Sequence, residues 1–379
     1  MPPSPLPRLA LAAALSALLA CPPAHALVSL NDGRNQIYVT ASAGFSWDSN
    51  IYANATSGGD YLFNAGLGLE LKRRAGLISV DGSVGIDATR FADNTAENAL
   101  NPRFRTEFSK QSGRTTGVLS LGAARQSRAD SAVNLRSESW LYDAALNLKY
   151  PIIERYSVAG SVGYSRLDYV NNAVLVDLQT FSASADLFYV YTSERDLFAG
   201  YRYRHGETSA SSAFDDHAFT VGVSGKILPK LNGVVRVGYQ VRDPSGTSED
   251  AYTALTASAA TTWNLSRRIT LTGQAAKDFS TTATNLNIDA LTFNLDVQYA
   301  MNSKLSFASG AGYGINEFLG VPGADRKDEF FTWNLGANYK VLDERLTVAL
   351  VYAYLRNWST LDYSDFERNS LNLNLSSRF

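Results

Sequence analysis

Cysteine, methionine and histidine are nearly missing: one, two and three residues respectively in a chain of 379. With Cys21 alone no internal disulfide can form, so stability has to come from another source. Charged residues make up only 18%, against about 25% in ordinary soluble domains. The net charge of −2 gives no electrostatic reason to expect nucleic acid as a partner. There is no H-E-x-x-H, no G-x-S-x-G, no phosphate-binding loop and no calcium loop. Beyond the leader only His205 and His217 remain as imidazoles. They stand near the ends of two neighbouring strand patterns and read as polar rim residues. The sequence therefore offers no catalytic group, no cofactor-binding motif and no metal site, and no enzyme is expected. Long apolar runs are also missing. After the first residues no stretch approaches the roughly 18 apolar residues that a transmembrane helix needs.

What is present begins with an export leader. Arg8 supplies a positive start, Leu9 to Ala20 an apolar run, and Ala24-His25-Ala26 an A-x-A cleavage site. This predicts a signal peptide over residues 1–26 and one mature unit over residues 27–379. Leu18-Leu19-Ala20-Cys21 offers a competing reading, lipid attachment at Cys21, with an imperfect box. Cleavage after Ala26 is the favoured alternative.

Past the leader, hydropathy alternates with period two. Ile78, Val80, Val84 and Ile86 interleave with Ser79, Asp81, Ser83, Gly85 and Asp87. Phe331, Trp333, Leu335, Ala337 and Tyr339 interleave with Thr332, Asn334, Gly336, Asn338 and Lys340. Successive strand side chains point to opposite faces, so each run has one face fit for hydrocarbon and one fit for water. No helix-length run carries a period of 3.6. Short connections such as Thr192-Ser193-Glu194-Arg195 and Met301-Asn302-Ser303 alternate with longer ones rich in Gly, Ser, Asn, Asp and Pro, such as Asp243 to Asp250. A bilayer admits only helices and closed barrels, and alternating short turns and long loops is the outer-membrane barrel pattern. The expected fold is all-β: a transmembrane antiparallel up-and-down β-barrel of about 18 strands (16–18). Two aromatic rows support it. Tyr150, Tyr189, Trp263, Tyr299 and Tyr339 stand before short turns, and Tyr164, Tyr201, Tyr239, Tyr313 and Tyr352 stand further along the following strands. They are the girdles expected at two membrane interfaces.

The last strand is the most specific signal. Leu371, Leu373, Leu375 and Phe379 share one face, and Asn372, Asn374, Ser376 and Arg378 the other. An amphipathic final strand with a terminal aromatic resembles the assembly signature of bacterial outer-membrane proteins. That resemblance implies recognition by the barrel-assembly machinery and a Gram-negative outer membrane, with its lipid, as the destination.

The strand phase also places charges. Glu70, Lys72, Asp81, Asp87, Asp143, Lys149, Asp186, Arg202, Arg204, Lys226, Arg236, Arg242, Asp296 and Lys340 fall on the polar faces and are expected to line the lumen. On the lipid side an Arg or Lys at midplane would cost about 2–4 kcal/mol. Acidic positions dominate early in the chain and basic ones cluster in its middle. The basic stripe either favours anionic solutes or an acidic polysaccharide, or forms wall-stiffening ion pairs; the sequence leaves both open. A barrel of this size keeps an aqueous interior unless something fills it; no external loop is long enough to fold in as a large plug, so an unplugged lumen is expected.

Phe45-Ser46-Trp47-Asp48-Ser49-Asn50-Ile51-Tyr52, together with Glu194-Arg195 followed by an aromatic strand to Arg204, resembles an outer-membrane β-barrel porin family. Some members of that family are encoded in exopolysaccharide-biosynthesis loci. The resemblance implies a porin-like passive channel serving polysaccharide export or small hydrophilic solutes, with no catalytic residues. The alternative is a non-conducting structural or adhesion barrel.

Overall fold

The computed structural model describes residues 28–30, 34–56, 58–170, 174–245, 250–320, 326–342 and 345–379. The leader expected over residues 1–26, including Cys21, lies outside the described residues. The strands are β1 (Val28–Leu30), β2 (Asn35–Asp48), β3 (Asp60–Arg73), β4 (Ser79–Phe91), β5 (Ala99–Lys110), β6 (Thr116–Asp130), β7 (Leu135–Ile153), β8 (Tyr156–Val170), β9 (Leu178–Thr192), β10 (Arg195–Thr208), β11 (Ala213–Leu228), β12 (Leu231–Ser245), β13 (Tyr252–Asn264), β14 (Ile269–Thr281), β15 (Asn287–Ala300), β16 (Leu305–Leu319), β17 (Lys327–Leu342), β18 (Leu346–Ser359) and β19 (Phe366–Arg378).

From β2 to β19 each strand pairs antiparallel with the next, and β19 pairs back onto β2, from Ser370 opposite Asp48 to Arg378 opposite Thr40. Eighteen strands therefore close a ring, which leaves no free sheet edge to template aggregation. β1 adds a three-residue pairing to the start of β2, Val28 opposite Ile37. It sits where β19 has ended and so extends the seam.

The period-two pattern becomes a two-faced wall. On β3, Leu67, Leu69 and Leu71 are exposed while Gly66, Gly68 and Glu70 between them are covered or half-covered. The exposed face of most strands carries large apolar side chains, among them Val84, Ile86, Leu146, Leu148, Leu295 and Leu335. Both aromatic rows lie on this outer face, with Tyr150, Trp263, Tyr299 and Tyr339 near the turn end and Tyr164, Tyr201, Tyr239 and Tyr313 nearer the loop end. The band between them matches in kind the apolar belt of a membrane barrel. Leu67, 62% exposed, is central in its strand's apolar row. Leu67→Arg is expected to lower the unfolding free energy in lipid vesicles by about 2–4 kcal/mol. A urea titration with unchanged stability would show that this face does not meet hydrocarbon.

Candidate lumenal site

The inner face is identified by side chains that meet over intervening strands, which is possible only on the concave side. Arg236 on β12 forks onto Asp186 of β9, at 2.7 and 2.8 Å. Arg202 on β10 forks onto Asp278 of β14, at 2.7 and 2.8 Å. Register then carries the face around the ring. Lys149, Ala159, Asp186, Gly200 and Thr220 form one rung. Gly122, Asp143, Ser165, Thr180, Gly206 and Phe214 form another. Thr272, Asp296, Gly310 and Asn334 form a third. Lys340 is in phase with Asn334 on β17, and Lys226 with Asp216 on β11.

The positions singled out from the sequence fall into three groups. In the early strands, Glu70 meets Arg378 at 3.0 Å, Asp81 meets Arg74 at 2.6 Å and Asp87 meets Arg103 at 2.8 Å. Lys72 stands opposite Asp81 in the ladder. In the middle strands, Arg202, Arg204, Arg236 and Arg242 are all engaged by carboxylates. Arg204 reaches Asp216 and Asp278, and Arg242 reaches Asp216. The side chains of Arg242 and Asp216 are both 0% exposed. Of the two meanings the basic stripe left open, this geometry favours the ion-pair network for these arginines. The third group sits toward the turn end: Lys226 meets Glu194 at 2.8 Å, and Lys149 stays half-exposed with Asp196 at 3.7 Å.

Sequence reasoning missed several partners. Asp216, Asp278 and Gln240 share these networks and were not singled out, nor was Arg326 at the mouth. Also unanticipated were aromatic rings on the polar face. Phe188, Phe198 and Phe214 are in phase with Asp186, Asp196 and Asp216. Arg236 lies 4.5 Å from the Phe198 ring centre and Arg242 3.9 Å from that of Phe214. A glycine stands opposite each of these two rings across the ladder, Gly222 facing Phe198 and Gly206 facing Phe214. A side chain at either glycine would collide with the ring. The Phe–Gly pairing across strands was the available signal, and cation–π contact explains why a ring is tolerated beside water.

The loop end is not left open, in contrast to what the individual loop lengths suggest. Pairing between β13 and β14 stops at Ala257 opposite Lys277, while β14 stays paired with β15 to Thr281 opposite Asn287. Beyond Lys277 the β14–β15 hairpin leans inward. Asp278 takes Arg202, the Phe279 carbonyl accepts from Arg204 at 2.8 Å, and the Ser280 carbonyl accepts from Arg242 at 2.9 Å. Its tip accepts a hydrogen bond from the Val176 amide at Ala283, and Asn285 donates to Ser212.

Across the mouth, loops from nearly opposite sides of the ring also meet. Arg326, before β17, donates to Asp328, to Ser364 and to the Ala132 carbonyl between β6 and β7. Asn134 bonds Ser364 and donates to the Ala53 carbonyl at 2.8 Å. The mouth is thus narrowed by several short loops acting together, rather than by one plug.

The two histidines lie on the outer face near the loop end. His205 sits between Asp215 (2.9 Å) and Glu207 (3.1 Å), and His217 Nδ1 is 2.6 Å from the Tyr201 hydroxyl. Neither contacts a serine or threonine hydroxyl in these bonds. Among the described residues no cluster of His, Cys, Asp and Glu is arranged to hold a metal ion.

Residues 215–379 match the family described as putative beta-barrel porin 2, in agreement with the resemblance carried by the sequence. No curated protein sequence matches the chain. Its fold is similar to that of the Pseudomonas aeruginosa outer membrane protein OpdK, with 12% identity over 91% of this chain and 99% of that one and a TM-score of 0.52. OccK2 (OpdF) of the same organism gives 12% identity, coverage of 91% and 97%, and a TM-score of 0.50. Acinetobacter baumannii OccAB2 gives 11%, coverage of 91% and 98%, and 0.50. At these identities the likeness is one of fold.

Proposed function

We propose that the chain is a porin-like outer-membrane β-barrel that forms a passive aqueous channel for small hydrophilic solutes, its loop end narrowed by the inward β14–β15 hairpin. One observation carries the reading: a closed ring of eighteen strands whose inner face is polar at nearly every rung, with ion pairs spanning the concave side. A small barrel is filled by its own side chains, whereas a ring of 16–18 strands is wide enough to hold water. Passage of an extruded polysaccharide is a narrower form of the same proposal, supported by the family resemblance in the sequence. Purified protein in planar bilayers is expected to give stable single-channel steps. No steps at any voltage would refute the channel and favour the second reading, a non-conducting structural or adhesion barrel. That reading draws its support from the loop contacts across the mouth through Arg326 and Asn134. Export through the leader and insertion by the barrel-assembly machinery belong to the same proposal.

A further inference from the structure

The lumen wall contains a recess of about 430 Å³ on β6 to β9, closed on one side by β12 and lined in part by Gln111, Asn147, Lys149, Ser161, Ser184 and Arg236. We propose that this recess is a solute-binding subsite for a small, hydroxyl-rich monoanion, such as a sugar that carries one carboxylate. The proposal rests on the channel reading and deepens it.

Three features fit that ligand. The lining offers a hydroxyl pair, Ser161 and Ser184 at 2.7 Å, beside the Asn147 amide. These are groups that can both donate to and accept from sugar hydroxyls. The charge is uneven. Arg236 and Lys149 line the recess with one carboxylate, Asp186, and Asp186 is taken up in a fork by Arg236. The carboxylate nearest Lys149, Asp196, is 3.7 Å away, beyond a full hydrogen bond. The ammonium, 47% exposed and only loosely paired, therefore keeps donors free for a solute carboxylate. Lastly, the cations are held in place. Lys149 Nζ sits 4.7 Å from the centre of the Phe188 ring, Arg236 sits 4.5 Å from that of Phe198, and the two rings are 5.0 Å apart. Two adjacent rings on an otherwise polar face fix the positions of both charges before any solute arrives, which lowers the ordering cost of binding. A neutral sugar would leave Lys149 with Asp196 as its one, loosely held carboxylate. A dianion would meet Asp186.

Current block in planar bilayers tests this with glucuronate and glucose, which differ at the carboxylate. For the unaltered protein, half-block by glucuronate is expected at a concentration about tenfold lower than by glucose, the scale of one charge-assisted hydrogen bond. Lys149→Gln should raise the glucuronate value about tenfold and leave glucose block unchanged. Equal glucuronate block in the variant, or equal block by both sugars in the unaltered protein, overturns the subsite. If no current flows, the channel reading fails separately. Calorimetry on the detergent-purified barrel then decides the subsite. Glucuronate heat lost in Lys149→Gln supports it, and unchanged heat overturns it.

Discussion

Replacing Arg242 by leucine is expected to release the inward hairpin, raise single-channel conductance and noise, and lower barrel stability by about 3–5 kcal/mol at most. The guanidinium is fully buried and every face of it is used. It donates to both oxygens of Asp216 at 2.7 and 2.9 Å. Its remaining arm reaches the Ser280 carbonyl, Thr281 and Asn287 at 2.9, 3.2 and 3.0 Å. Phe214 lies beneath it. Removing it leaves Asp216 buried with Arg204 as its one remaining cation, which is why the figure is an upper bound. It also removes one donor from each of three groups on the hairpin, the Ser280 carbonyl, Thr281 and Asn287, and a lost hydrogen bond to a charged group costs about 1.5–3 kcal/mol. Arg242→Lys should rescue little, because a single ammonium cannot reproduce a fork that serves Asp216 and the hairpin at once. Asp216→Asn, which keeps the shape and removes the charge, should leave the hairpin seated through Ser280 and Thr281. It should therefore destabilise without the rise in conductance. If Arg242→Leu leaves conductance unaltered, the hairpin does not narrow the pore.

The barrel was legible in the sequence because its governing rule is local. Alternation needs only neighbouring residues, and the membrane permits few folds once helices are excluded. The same locality explains what was not legible. Arg202 is recognisably a polar-face residue, but its partner Asp278 is brought near by four strands of ring closure. Arg326 looks like an ordinary loop residue until the loop from the other side of the ring arrives. Phe198 and Phe214 broke the alternation and passed unremarked, since the compensating Gly222 and Gly206 sit on neighbouring strands, opposite them in the ladder. The Asp48-Ser49-Asn50 motif was visible as a turn-rich strand exit, yet its structural use is long-range. Asp48 accepts from Arg368, Ser49 Oγ accepts from the Asn369 amide, and the Asn50 side chain donates to the Glu367 carbonyl. The motif staples the first barrel strand to the last at the loop end.

At the turn end of that seam stands Phe379, and Phe379→Ala is expected to reduce heat-modifiable, membrane-inserted protein several-fold while any protein that does insert remains folded. The backbone of Phe379 exchanges two hydrogen bonds with Val39, each 2.8 Å, and the alanine variant keeps both. What it loses is an aromatic side chain in phase with Leu371, Leu373 and Leu375 on the outer face. Removing that apolar surface costs on the order of 2 kcal/mol. A loss of that size should not by itself unmake a barrel whose seam also holds nine ladder pairs and the Arg368–Asp48 ion pair. A large deficit in inserted protein would therefore point to a failure before the ring closes, at recognition of the final strand. Two further variants separate recognition from packing. Phe379→Leu restores apolar surface without a ring, and Phe379→Tyr keeps the ring. Rescue by tyrosine and not by leucine is the result expected if the aromatic is read by the assembly machinery. Equal rescue by both would reduce Phe379 to a packing residue, and full insertion of the alanine variant would remove it from assembly altogether.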